Sequence, residues 1–392
     1  MKKLLLSTTA VAAFAFATEA EANSLQVNVG GFVDFQAGYV SDDVVGDTAT
    51  NSDNEINFNT DSEIHFIIEG KADNGLEYGA VVELEANVGG QNSFDAGDNA
   101  DKAYVYLQGG WGRLEGGENK GAEEALAVDT ANFASGTGGV DGDFFRFAAI
   151  PTNFNGAFKP ALALEHAGNN AGGFGGDTAL DEDATKLTYY SPRFSGFQVG
   201  VSYIPNSGDT SRTTGAPVIG AGFTDATTGV TGANAGFEDV FTGGINFTDQ
   251  FDGIGVAASL TGITGEAVAA GDDLEGFQVG LNLSAAGFTI GGSYGDQELS
   301  SAGVDVESDF FDIGVGYAAG PWSVSATYID AETEFGAATD EFENFVLGAD
   351  YQLAPGLVPY AEVSFFEFDG GAVDGTGDNE GTVVILGTEL TF

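Results

Sequence analysis

Apolar residues recur at every second position through most of the chain. Leu25, Val27, Val29, Val33, Phe35, Ala37 and Tyr39 alternate with Gln26, Asn28, Asp34 and Gln36, and Ile64, Phe66 and Ile68 alternate with Glu63, His65 and Glu69. A period of two marks a strand with unlike faces. After Asp73-Asn74-Gly75, a tight-turn sequence, Tyr78, Ala80, Val82, Leu84, Ala86 and Val88 alternate with Glu77, Glu83, Glu85 and Asn87. The same grammar repeats: KAYVYLQ turns at Gly109-Gly110 into WGRLEGG, TKLTYY turns at SPRFSG into FQVGVSY, and DVFTGGINF, FQVGLNL, FFDIGVGY and NFVLGADY each turn quickly into a second run. With one strand before these hairpins and TVVILGTELTF after them, the pattern predicts sixteen strands.

The hairpins are joined by stretches rich in Gly, Asp, Asn, Ala and Thr, at 41–60, 89–101, 118–183, 205–237, 262–273, 295–307, 331–341 and 369–379. An even number of antiparallel strands, with short connections at one end and long ones at the other, is the organisation of a transmembrane β-barrel. The strand faces assigned to lipid carry no charge, and Trp111 and Trp322 follow short turns, where an interfacial aromatic girdle belongs. A large soluble all-β protein also alternates, but sandwich strands are shorter and do not sort loop lengths by end. A further strand pair within 118–183, around ALALEH, gives eighteen strands instead of sixteen.

Composition narrows the function. Lys+Arg number 11 against 60 Asp+Glu, a net charge of −49, and cysteine is absent. So acidic a chain lacks the cations that hold phosphates, which excludes nucleic-acid binding. Thiolate metal sites and disulfide-stapled folds are excluded as well. An aromatic content of 12% separates it from acidic disordered chains, which are poor in aromatics. MKKLLLSTTAVAAFAFATEAEA reads as a secretory signal peptide over residues 1–22, leaving 23–392 as one barrel domain.

The segments WGRLEGGE before the longest stretch, TYYSPRFSGFQVGVSY after it, and the final GTVVILGTELTF ending in Phe392 together resemble the general diffusion porins of Gram-negative bacterial outer membranes. That resemblance implies an all-β, sixteen-stranded antiparallel barrel in outer-membrane lipid, with short periplasmic turns and long extracellular loops. It also implies a homotrimer, passive diffusion of ions and small hydrophilic solutes, and a third long loop, 118–183, folded into the lumen as a constriction. In such porins, acids on the loop face basic residues on the wall. The candidate loop acids are Glu123, Glu124, Asp129, Asp141 and Asp143. The wall offers only Lys71, Lys102, Arg113 and Lys186 as bases, with no arginine cluster, against Asp34, Glu63, Glu69, Glu83, Glu85 and Glu115, joined on the same predicted face by Asp312, Asp350 and Glu362. A surplus of carboxylates concentrates cations and repels anions, so the predicted pore prefers cations.

Two other functions stay open: a solute-specific channel, with Tyr104, Tyr106 and Tyr360 facing inward, and an acidic structural or adhesive barrel. Residues 172–177 fit a single calcium-binding GGxGxD unit, and Asp374, Asp378 and Glu380 form an acidic tract, so Ca²⁺ bound by the outer loops is the one cofactor-like expectation. The two histidines, His65 and His166, are too few for a multi-histidine metal cage, and neither accompanies a nucleophile motif. No enzyme activity is expected.

Overall fold

The computed structural model describes residues 25–43, 55–86, 100–133, 137–151, 154, 156–157, 159–162, 184–206, 237–267, 273–301, 304–336, 338–370 and 378–392. Sixteen strands close into one antiparallel barrel in chain order. They are β1 (Gln26–Asp42), β2 (Ile56–Lys71), β3 (Glu77–Glu85), β4 (Lys102–Gly109), β5 (Gly112–Glu118), β6 (Lys186–Tyr190), β7 (Phe197–Asn206) and β8 (Phe237–Phe251). The second half is β9 (Ile254–Ala267), β10 (Leu274–Ala285), β11 (Phe288–Ser301), β12 (Val304–Ala319), β13 (Trp322–Phe335), β14 (Ala338–Tyr351), β15 (Leu357–Asp369) and β16 (Asn379–Thr391). Closure joins β1 to β16, with Ala37 opposite Leu386. No helix among the described residues is long and apolar enough to cross a membrane; the crossing elements are strands.

The outer face carries two lines of aromatic pairs. Beside the short turns, Trp111 stacks on Tyr189 with ring centroids 6.3 Å apart, Trp322 meets Tyr351 at 4.5 Å, and Phe288 meets Tyr317 at 4.4 Å. Higher up, Phe277 pairs with Tyr294, Phe311 with Tyr328, and Phe345 with Phe365. Exposed Val315, Val324, Leu347 and Leu386 fill the band between. From Trp322 to Asp330 the chain advances eight residues, about 26 Å along a tilted strand, the scale of the apolar belt of an outer-membrane barrel.

Several strands run further than the apolar alternation predicts. Only residues 302–303 separate β11 from β12, and only 336–337 separate β13 from β14, so most of 295–307 and 331–341 is wall rather than loop. The period of two persists there, but its outer set changes solvent. Above Tyr294 come Asp296 and Glu298, and above Phe311 come Asp309, Glu307 and Asp305, while Leu299 and Val306 stay buried inside. The ladder sets these acids against each other: Asp296 opposite Asp309, Glu298 opposite Glu307, Glu332 opposite Glu341, and Glu341 opposite Asp369. On the other side the wall is low, with nine, eight, seven and five residues in β3, β4, β5 and β6.

The short connections are built as their sequences suggest. Gly75 takes φ +85°, which only glycine adopts without strain, and donates to the Ala72 carbonyl at 2.8 Å, while Asn74 Oδ1 accepts from the Leu76 N–H at 3.1 Å. In the SPRFSG turn, Arg193 donates to the Gly196 carbonyl, Gln198 and Asn246 at 2.6, 2.8 and 2.7 Å, clamping the turn to β7 and β8.

Candidate pore constriction

Between β5 and β6 the chain enters the barrel and runs along its inner wall. On the side pressed against the wall such a loop has no water for its backbone groups, so the wall must supply partners. It does so residue by residue. Lys186 donates to the Asn119 carbonyl, and Asn119 Nδ2 donates to Glu115 Oε2 at 2.9 Å, fixing the departure from β5. The short helix α1 (Ala122–Leu126) follows. Ser202 on β7 and Ser259 on β9 accept the N–H groups of Ala122 and Val128, both at 2.9 Å, and Asp312 on β12 accepts that of Thr130 at 2.7 Å. Asn282 on β10 donates to the Asp129 carbonyl at 2.8 Å. The backbone lies so close to β10 that a Cβ on Gly280 would collide with the Val128 carbonyl oxygen.

The next stretch is held by packing. Phe144, Phe147, Ala148 and Phe154 form one core with Ile329, Phe342, Val346, Phe366, Phe368, Val383 and Ile385; the Phe144 ring stacks on Phe342 at 5.8 Å, and Phe154 meets Phe368 edge-on at 4.9 Å. The inner face of β13–β16 therefore carries an apolar patch beside its polar positions, where the barrel pattern predicts polar lumen positions throughout. These strands are covered on both sides, by lipid outside and by the loop inside, which is why EVSFFEF and GTVVILG read as nearly continuous apolar runs.

A polar latch sits at the far end of the same turn of chain. Arg146 Nε donates to Asp143 Oδ1 at 2.9 Å and its terminal nitrogen reaches Asp61 of β2 at 3.3 Å. Gln36 of β1 donates to Asp143 at 2.5 Å and to Asp34 at 2.9 Å, and Tyr360 of β15 donates to Asp34 at 2.5 Å. The chain then returns: Asn379 donates to the Ala149 carbonyl at 2.6 Å, Thr333 accepts from the Ala157 N–H at 3.0 Å, and Gln278 donates to the Pro160 carbonyl at 3.2 Å. The described part of the loop thus follows β7–β16 and reaches β1 and β2 at the latch, and the inner faces of β3–β5 with the rest of β2 form the opposite side of the lumen.

This placement divides the sequence-predicted residues. Glu123 is buried against the wall, Glu124 is paired with Lys120, and Asp129 caps the Ala131 N–H at 3.0 Å. Asp143 and Asp34 belong to the latch, and the Asp141 side chain lies outside the described residues. On the open wall, Lys102 bridges Glu83 at 2.9 Å and Asp101 at 2.6 Å. Arg113 pairs with Glu115, donates to Gln108 at 3.1 Å and lies 3.9 Å above the centre of the Tyr106 ring. Glu69 accepts from Asn28 at 3.2 Å, Glu63 lies 2.6 Å from His65, and Glu85 stands opposite Glu63 on the ladder. Lys71 pairs with Glu77 beside the Asn74-Gly75 turn, far from the loop. Lys186 is buried and serves the Asn119 carbonyl rather than the channel. Asp312, Asp350 and Glu362 are buried. Arg146, Gln36 and Asp61 were not among the candidates; the signal was a lone arginine inside the apolar run DFFRFAAI. Residues 1–24, 172–177, His166 and Asp374 lie outside the described residues.

The profile of the family described as Gram-negative porin matches residues 7–371. The chain belongs to that family. As a Gram-negative porin it is an outer-membrane, multi-pass β-barrel, and family and fold together point to a channel rather than an enzyme; His65 is bonded to Glu63 and not to a serine. An uncharacterised protein of Rickettsia conorii is 26% identical over 227 residues, 54% of this porin and 49% of that protein. The porin therefore spans about half the length of the curated relatives it matches. Among solved structures, an anion-selective porin from Comamonas acidovorans matches with a TM-score of 0.61 at 16% identity, over 94% of this chain and 100% of that one. The trimer form of OmpT, an outer-membrane protein of Vibrio cholerae, matches with a TM-score of 0.54 at 13% identity, over 94% and 100%. Both similarities are of fold.

Proposed function

We propose that this porin forms a water-filled channel for passive diffusion of ions and small hydrophilic solutes, that the channel prefers cations, and that three identical subunits assemble in the membrane. The observation that carries the ion preference is the lining of the open wall. Each described base there is already engaged, Lys102 by Glu83 and Asp101 and Arg113 by Glu115, and Glu63, Glu69 and Glu85 stand on the same inner faces of β2 and β3. The surplus is negative, and in a narrow low-dielectric passage it favours cations. That an anion-selective porin shares the fold is consistent with this, because a barrel sets the frame and its lining residues set the preference.

Trimer formation is supported by the low wall. Strands of five to eight residues in β4–β6 fall short of the roughly 9–11 needed to cross hydrocarbon, which supports cover of that sector, where Val105 and Leu187 are exposed, by a neighbouring subunit. The solute-specific reading loses support from two of its three tyrosines: Tyr106 lies under Arg113 and Tyr360 is buried in the latch. Liposome swelling with sugars of graded size tests the diffusion reading. Swelling that slows steadily with solute size is expected; none from a correctly folded preparation contradicts it. Crosslinking in detergent should yield a three-chain species, and a purely monomeric pattern contradicts the trimer.

A further inference from the structure

On the open wall, β2 and β3 bring a histidine between two carboxylates. His65 stands directly opposite Glu83 on the ladder, and Glu63, two residues earlier, shares its face. His65 Nε2 lies 2.6 Å from Glu63 Oε2, and ligand atoms of Glu63, His65 and Glu83 all fall within 4.8 Å of one another. Glu83 is buried, whereas the side chains of His65 and Glu63 are 25% and 18% exposed, so the cluster opens toward the lumen. All three are carried by paired strands, which hold side chains more rigidly than loops do.

We propose that Glu63, His65 and Glu83 form a binding site for a divalent transition-metal ion of the Zn²⁺ type. Imidazole nitrogen with carboxylate oxygens suits Zn²⁺ and its neighbours, whereas Ca²⁺ and Mg²⁺ take oxygen-only sets. Three protein ligands leave a fourth position for water, facing the channel. Tetrahedral ligands at about 2.0–2.2 Å from a metal stand roughly 3.4 Å apart, so small side-chain rotations bring these atoms into place without moving the strands. The proton that His65 Nε2 shares with Glu63 leaves to solvent as the metal binds, and Glu83 must give up its bond to Lys102. Lys102 keeps a partner when it does, because its ammonium also donates to Asp101 at 2.6 Å.

The site lies close to the constriction. Asp61, two residues before Glu63 on β2, is the residue that Arg146 of the loop grips. A bound dication there offsets two carboxylates of the lining, so it weakens cation preference and lowers conductance. The effect on conduction rests on the channel reading above; the binding does not.

The test measures both. Equilibrium dialysis of the folded, detergent-solubilised barrel with Zn²⁺ should find a class of one ion per chain that a tenfold excess of Mg²⁺ leaves in place. Co²⁺ in its stead should give the intense visible bands of tetrahedral coordination. H65Q should weaken this class at least tenfold while keeping heat-modifiable migration of an intact barrel, and H166Q should leave it unchanged. In planar bilayers, Zn²⁺ at the same concentration should lower wild-type conductance and leave that of H65Q unaltered. Equal Zn²⁺ binding by wild type and H65Q, or no binding by a barrel that conducts, overturns the site and leaves the channel standing. A barrel that binds Zn²⁺ through His65 yet never conducts overturns the channel and leaves the site.

Discussion

Arg146 does the work of several residues at the constriction. Its guanidinium spans Asp143 on the loop and Asp61 on the wall, and all three side chains are less than one-fifth exposed. Removing it leaves two facing carboxylates without their shared cation, a loss on the order of 3 kcal/mol for a buried pair. R146A should therefore free the latch, raising single-channel conductance and its noise while the barrel stays intact by heat-modifiable migration. R146K should recover part of this, since it restores charge without the planar fork. Conductance of R146A equal to wild type would mean that the packing of Phe144 and Phe154 alone sets the opening. Lys186 behaves differently: its ammonium ends on a loop carbonyl, so K186M should alter the loop's departure from β5, seen as altered conductance, and leave the reversal potential nearly unchanged. A reversal-potential shift as large as that of K102M would show that Lys186 reaches the channel.

At the scale of elements, the loop is held because small wall residues let it come close. A side chain on Gly280 would collide with the Val128 carbonyl, so G280V should push 126–130 off β9–β12, breaking the bonds to Ser259 and Asp312. The expected result is faster proteolytic cleavage of the loop in a barrel that still assembles; cleavage at the wild-type rate contradicts the close approach. The strands themselves were legible from sequence, since alternation with Asn74-Gly75 and SPRFSG turns fixes pairs and faces with little help from distant contacts. The loop's path was not. Its anchors are single hydrogen bonds between residues as far apart as Thr130 and Asp312, and a serine or asparagine on a lumen face reads the same whether it meets water or a backbone. The tops of β11–β14 read as loops in the sequence because their outer positions turn from aromatic to acidic, which mimics loop composition while the period of two continues. The apolar patch on the inner faces of β13–β16 shows the converse: where the loop covers the wall, burial on two sides blurs the alternation that marks a barrel strand.

At the scale of the whole molecule, charge is arranged in tiers. Outside, the acid rows of β11–β15 begin where the upper aromatic line ends, and like charges stand directly opposite one another across four ladders. Such pairs destabilise a sheet, and added salt screens them, the Debye length falling from about 30 Å at 0.01 M to about 3 Å at 1 M. The thermal unfolding midpoint should therefore rise with NaCl across that range, and D309N/E332Q should flatten the rise; a midpoint that falls with salt contradicts the repulsion. Inside, the proposed cation preference rests on the carboxylates that β2 and β3 place on the open wall. The most direct test of that lining is the reversal potential of the reconstituted channel across a tenfold KCl gradient at neutral pH. A cation-preferring pore gives the potential expected for K⁺ selectivity, weakening as both KCl concentrations are raised, and a potential of the opposite sign, marking chloride preference, would contradict it.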